Sequence, residues 1–117
     1  MNNYKELDIW KRSIKLAVKV YKATKLFPSE ERFGLTSQMR RCAVSVPSNI
    51  AEGAGRKSNK EFSQFLSISY ASLCELETQV IISEELEFLE ITEAEIICKE
   101  IEELQKMTFS LINKFSV

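Results

Sequence analysis

Residues 92–115 read TEAEIICKEIEELQKMTFSLINKF, in which Ala94, Ile97, Ile101, Leu104, Thr108, Leu111 and Phe115 follow one another at alternating steps of three and four. Side chains at that spacing share one face of an α-helix, and a mean period of 3.5 suits helices packed at shallow angles in a bundle. Thr92 and Glu95 at the head of the stretch have the capping-box spacing, in which hydroxyl and carboxylate satisfy each other's unpaired backbone donors.

The segment before it repeats the design. Ser58-Asn59-Lys60-Glu61 is a second capping-box pattern, followed by a stripe of Phe62, Leu66, Ser69, Leu73, Leu76 and Val80. Further upstream, Leu35, Met39, Cys42, Val46, Ile50 and Ala54 form a helical stripe that starts after Gly34, runs past Pro47 and stops around Gly53 and Gly55. A proline inside a helix removes one donor and presses on the carbonyl four residues back, here Ala43, so the spacing predicts a kink over 43–47. The alternative is a full break, with Ser45 capping a new helix that has Pro47 in its first turn. A first helix is predicted from about Glu6 to Leu26, ending at Phe27-Pro28-Ser29, with Ser29 capping a short turn through Arg32. Four helical segments with short punctuation make an all-α chain, and 117 residues suit a single domain over 1–117 that builds a core without staples.

Composition prunes the function classes. There is no histidine, which excludes His-based triads, HExxH zinc sites and the Glu-x-x-His motifs of di-iron bundles. Cys42, Cys74 and Cys98 are odd in number and widely spaced, so they are expected to be buried, reduced thiols of a cytosolic protein. The opening Met1-Asn2-Asn3-Tyr4-Lys5-Glu6 has no charged-then-apolar pattern, and no apolar run approaches the roughly 18 residues of a membrane span. A soluble, cytoplasmic protein with no membrane partner and no cofactor is the expectation.

Charge is distributed unevenly. Residues 1–60 hold thirteen Lys and Arg against five Asp and Glu, whereas residues 61–117 hold three against twelve, under a net charge of −1. Such polarity attracts a polyanion or a second copy of the same chain. On the first helix, Lys11, Arg12, Lys15, Lys19, Lys22 and Lys25 form an arc of one sign. A solvated face normally mixes signs through i,i+4 pairs, so this arc, with Arg40, Arg41, Arg56, Lys57 and Lys60 as a second group, is the candidate contact for a phosphate backbone. The bland alternative is a solubilising face, or one that meets the acidic last helix of a neighbour.

The same helix carries two apolar arcs. Leu7, Trp10, Ile14, Ala17, Val18 and Tyr21 lie on one, and Ile9, Leu16, Val20, Ala23 and Phe27 on the other. Together they span roughly 220°, more than a bundle helix ordinarily buries, so one arc is expected to meet a second copy of the chain. A helix seated deeply in its own core is the alternative.

Residues 27–79 carry a longer signature: Gly34-Leu35-Thr36-Ser37-Gln38, Arg40-Arg41, Ser45-Val46-Pro47-Ser48-Asn49-Ile50-Ala51-Glu52-Gly53, Gly55-Arg56, Ser58, Glu61-Phe62, Phe65-Leu66, Ser72-Leu73 and Glu75-Leu76-Glu77. With Tyr4, Leu7, Ile9-Trp10 and Tyr21, this run resembles the family of small helical proteins encoded in intervening sequences of bacterial 23S ribosomal RNA genes. The resemblance covers about residues 4–89. It implies an antiparallel, up-down-up-down four-helix bundle that assembles into a homo-oligomer, a pentameric ring being the associated form. It also implies similarity to the accessory variability determinant proteins of diversity-generating retroelements, which share the ring and bind nucleic acid. It supplies no catalytic residues. Two positions depart from the family pattern: Glu87 stands where the family often has Gly at the turn after the third helix, and Ala71 replaces a common Gly before Ser72.

Physically, Ser45, Ser48, Asn49 and Glu52 are suited to satisfying carbonyls and guanidinium groups left unpaired around the proline, or alternatively to holding a ligand. Three function classes follow. The first is a non-enzymatic, homo-oligomeric binder of RNA or other nucleic acid acting through charge, without strong sequence readout because no aromatic residues interleave with the basic stripe. The second is a protein assembly scaffold. The third is a magnesium enzyme using Glu84, Glu87, Glu90 and Glu93, whose run crosses the turn between the last two helices.

Overall fold

The computed structural model describes residues 3–116. Among them there are four α-helices and no strands: α1 Asp8–Thr24, α2 Leu35–Ala54, α3 Asn59–Glu85 and α4 Ile91–Phe115. Single 3₁₀ turns at Tyr4–Glu6 and Ser29–Glu31 precede α1 and α2. Helices adjoin in the pairs α1–α2, α2–α3, α3–α4 and α1–α4, so each touches two others around a shared core, as a four-helix bundle requires. The 27 residues of α3 should extend about 40 Å at 1.5 Å per residue, close to the 43 Å long dimension of the molecule.

The stripes read on α2, α3 and α4, and one of the two apolar arcs of α1, face this core. Leu16 and Val20 of α1, Met39, Val46 and Ile50 of α2, Leu66, Leu73 and Leu76 of α3, and Ile97, Ile101 and Leu104 of α4 are all buried. Burying a side chain of this size stabilises the fold by about 1.5–3 kcal/mol, so these layers supply the main driving force. Leu111 and Phe115 are only partly covered, Phe115 stacking on Phe62 at 5.2 Å.

Helix α2 runs from Leu35 to Ala54 with Pro47 inside it, so the full break is not adopted. Polar side chains gather around the proline. The Asn49 amide donates to the Ser45 carbonyl at 2.9 Å, the Ser69 hydroxyl of α3 donates to the Val46 carbonyl at 2.9 Å, and the Ser45 and Ser72 hydroxyls share a hydrogen bond of 2.9 Å. Gly53 completes this seam: a Cβ there would stand 2.7 Å from the Cβ of Phe65 and 2.9 Å from Cδ1 of Phe62.

Several local expectations need correction. The Ser58 oxygen caps α3 by accepting from the Glu61 N–H at 3.1 Å, but its hydroxyl also donates to the Glu61 carboxylate, which therefore does not reach back to the backbone. Thr92 and Glu95 form no box, because α4 begins at Ile91 and Glu90 occupies the cap position without a side-chain bond. Of the three free thiols, Cys42 is buried, Cys98 half-buried and Cys74 exposed. The turn after α3 keeps a glycine-type geometry despite Glu87. Its φ is 64°, the N–H of Phe88 bonds the Ser83 carbonyl at 2.9 Å and that of Glu87 the Glu84 carbonyl at 2.9 Å, which is a Schellman close.

Candidate functional site

The two apolar arcs of α1 have different fates. Ile9, Leu16, Val20 and Ala23 enter the core, whereas Ile14, Val18 and Tyr21 are 37%, 48% and 41% exposed. With Tyr4 and Trp10, which meet edge to face at 5.5 Å, the exposed arc forms one wall of a groove of about 660 Å³. Val44, Pro47 and Ala51 of α2 form the opposite wall, and Lys22 and Lys25 stand at its rim.

The basic arc lies between this groove and α4. At about 100° per residue Lys11, Lys15, Lys19 and Lys22 occupy adjoining positions, all four are exposed, and none is in an ion pair among the described residues. Arg12 sits one step further round and behaves differently. Its guanidinium reaches Glu100 and Glu103 of α4, each at 3.0 Å, and the hydrogen bond with Glu100 is the chief cause of a pKa raised above the ordinary arginine value. Arg12 is therefore occupied in joining α1 to α4, which no α1 pattern could reveal because the carboxylates lie some ninety residues away.

The second basic group is divided. Arg40 donates to the Thr24 hydroxyl at 2.8 Å and the Tyr21 carbonyl at 3.2 Å, while its guanidinium lies 4.7 Å from the Tyr21 ring centre. It closes the end of α1 and does not serve the proline. Arg41 is exposed and has no ion-pair partner among the described residues. Arg40 and Arg41 belong to a hollow of about 600 Å³ lined also by Tyr21, Arg32, Phe33, Thr36, Ser37, Val44 and Ser45. Arg56, Lys57 and Lys60 lie at the other end of α2, about 22 Å away by helix rise. There Arg56 pairs with Glu52 at 2.9 Å and covers the Phe65 ring at 4.7 Å. Glu52 is thus Arg56's partner, whereas Asn49 bonds Ser45, Ser45 bonds Ser72 of α3, and Ser48 lines the apolar groove.

Phe33 and Arg32 escaped the sequence reading. The absence of interleaved aromatics holds along the lysine stripe but not beside Arg40 and Arg41. An Arg-Phe pair directly before Gly34, in a turn outside every helical stripe, was the available signal. The glutamates at 84, 87, 90 and 93 fall in α3, its closing turn, the cap of α4 and the first turn of α4. Among the described residues no three carboxylates or thiols cluster in a way that holds a metal ion. No helix among them is long and apolar enough to cross a membrane.

A family model of the 23S rRNA-intervening sequence proteins matches residues 5–110. The chain belongs to this family. One solved structure of similar fold is that of a protein of unknown function from the S23 ribosomal protein family of Bacteroides thetaiotaomicron. It superposes with a TM-score of 0.80 at 23% identity, over 89% of this chain and 97% of that one. At that identity the likeness speaks for the fold alone. No curated protein matches the chain.

Proposed function

We propose that this protein is a non-enzymatic, homo-oligomeric helical bundle that binds RNA, or nucleic acid more broadly, through the lysine face of α1. The observation that carries the reading is the set Lys11, Lys15, Lys19 and Lys22, exposed on adjoining positions with no carboxylate partner among the described residues. Cations so placed release counterions from a phosphate backbone, which gives affinity without base readout. Arg41, Lys57 and Lys60 extend the surface, whereas Arg12, Arg40 and Arg56 shape it through their internal contacts.

In this reading the four helices run alternately up and down in one domain, supported by connections of ten, four and five residues, and α2 bends where Pro47, inside the helix, withholds an N–H from the Ala43 carbonyl. Self-association uses the groove between α1 and α2, because an apolar surface that includes Trp10, Ile14, Val18 and Tyr21 gains most by being covered. A ring of five copies, the form implied by the resemblance, repeats the lysine face around its circumference and multiplies the local field of a chain whose net charge is only −1. The cytoplasm is the matching compartment. The same groove favours a second reading, in which a different protein covers it and the bundle is an assembly scaffold.

Gel filtration with light scattering and absorbance at two wavelengths reports subunit number and copurified nucleic acid together. RNA affinity should fall steeply with salt, and Lys15→Glu, Lys19→Glu and Lys22→Glu combined should abolish binding while helicity persists. Affinity that ignores ionic strength, or survives the triple change, refutes the assignment. A stoichiometric protein partner with no nucleic acid supports the scaffold instead.

A further inference from the structure

We infer that the hollow between the end of α1 and the first turns of α2 is a subsite for one unpaired nucleotide, its base lying on Phe33 and its phosphate on Arg41. This rests on the nucleic-acid reading above and names the form of strand that the surface prefers. Phe33 is 86% exposed. It is not on a frayed segment: the Gly34 N–H bonds the Glu31 carbonyl at 2.9 Å, and the Leu35 N–H bonds the Glu31 carboxylate at 3.1 Å. Six residues earlier Phe27 is buried and packs against Phe88 at 5.7 Å, so the turn is anchored from inside while Phe33 is held outward. An aromatic face presented by a hydrogen-bonded turn loses little freedom when a base stacks on it.

Charge around the ring selects the partner. Arg32 lies 5.6 Å from the Phe33 ring centre, Arg40 is fixed on Tyr21, and among the described residues Arg41 is free of ion pairs and no carboxylate lines this hollow, Glu75 lining the adjoining one, which shares Phe33 and Arg41. Its volume of about 600 Å³ lies within the range of small-ligand sites. A duplex offers phosphates but keeps its base faces stacked away, so only an unpaired strand uses both the arginines and the ring. The hydroxyl of Ser37, which donates to the Gly34 carbonyl at 3.2 Å, keeps its lone pairs available to a base edge. The lysines of α1 attract any nucleic acid; the hollow discriminates by strandedness.

The test is fluorescence anisotropy of the full chain with a labelled ten-nucleotide oligouridylate and with an RNA duplex of equal length. Light scattering and circular dichroism are run on every variant. Phe33→Ala should weaken single-strand binding about tenfold and leave duplex binding unchanged, and Phe33→Tyr should retain it. Arg41→Ala should lower the single-strand salt slope by about 0.7. If the unaltered chain binds neither RNA, the nucleic-acid reading and this subsite both fall. If it binds both while Phe33→Ala is indistinguishable on the single strand, the subsite alone is overturned. A Phe33→Ala variant that weakens both RNAs equally, or that changes the subunit number, assigns the ring to a second copy and also overturns the subsite.

Discussion

Replacing Glu87 with glycine is expected to stabilise the protein by about 1 kcal/mol, most of it from the backbone and the rest from loss of a charge. Glu87 is the one residue with a left-handed φ among those described, at 64°, and it occupies the position where the Schellman close of α3 needs such a conformation. An L-residue with a Cβ is disfavoured there by about 1–2 kcal/mol, while glycine carries about 0.5–1 kcal/mol of extra conformational freedom in the unfolded chain. The difference is the net gain. A charge effect accompanies it, since Glu87 is a negative group at a helix C-terminus beside Glu84 and Glu85, an arrangement worth a few tenths of a kcal/mol or more. Glu87→Gln separates the two causes, because it removes the charge and keeps the Cβ. Urea melts followed by circular dichroism, at one fixed protein concentration because assembly shifts apparent stability, should show the midpoint rising from the parent to Gln and rising again to Gly, with unchanged slope. In a thermal melt each kcal/mol corresponds to about 3–5 °C. A glycine variant no more stable than the glutamine variant would mean that the backbone at 87 is not strained, and the argument would fail.

At Gly53 the same two forces meet with the opposite result. Gly53→Ala gains about 1 kcal/mol of helix propensity, yet its Cβ would overlap the Phe65 Cβ, which no rotamer change can remove, so a net loss of about 1–2 kcal/mol is expected in urea melts. Thr108 is 1% exposed with a hydroxyl that has no partner among the described residues, and Thr108→Val should therefore stabilise by about 1 kcal/mol; a loss would reveal a water bonded to that hydroxyl. The thiols should separate in a labelling experiment, Cys74 reacting in the native protein and Cys42 only after unfolding. Burial, and next the Glu75 carboxylate, pushes the Cys42 thiol up to about 12 from 9.0, so the folded state keeps a proton that the unfolded chain releases. Stability from this source is whole below pH 9 and is lost as pH rises toward 12. Cys42→Ala should accordingly show a shallower alkaline decline than the parent, and equal declines would exclude the effect.

Helix existence and the faces that form the core were legible because they depend on local periodicity. The stripe Phe62–Val80, and that of Ala94–Phe115 as far as Thr108, are buried as the spacing of their residues required, since 3.6-residue geometry places those side chains on one line whatever lies opposite; Leu111 and Phe115 are only partly covered. Helix ends were less legible. The box expected at Thr92 is absent because Ile91 is already helical and Glu90 takes the cap position. The exposed Cys74 was legible from periodicity, since it lies off the stripe Phe62–Val80 whereas Cys42 lies on that of α2; the compartment argument, which addresses redox state and not the side of a helix, wrongly grouped the three thiols as buried.

The candidate site divides along the same line. That α1 carries a lysine arc and two apolar arcs follows from the sequence alone, because residues on one helix have fixed angular relations. Which apolar arc enters the core, that Arg12 is held by Glu100 and Glu103, and that Phe33 stands beside Arg32, Arg40 and Arg41 were decided only by the tertiary structure. The physical reason is range. Periodicity is a property of neighbours a few residues apart, whereas an ion pair across ninety positions and a hollow between two helices exist only once the bundle has chosen which faces to bring together.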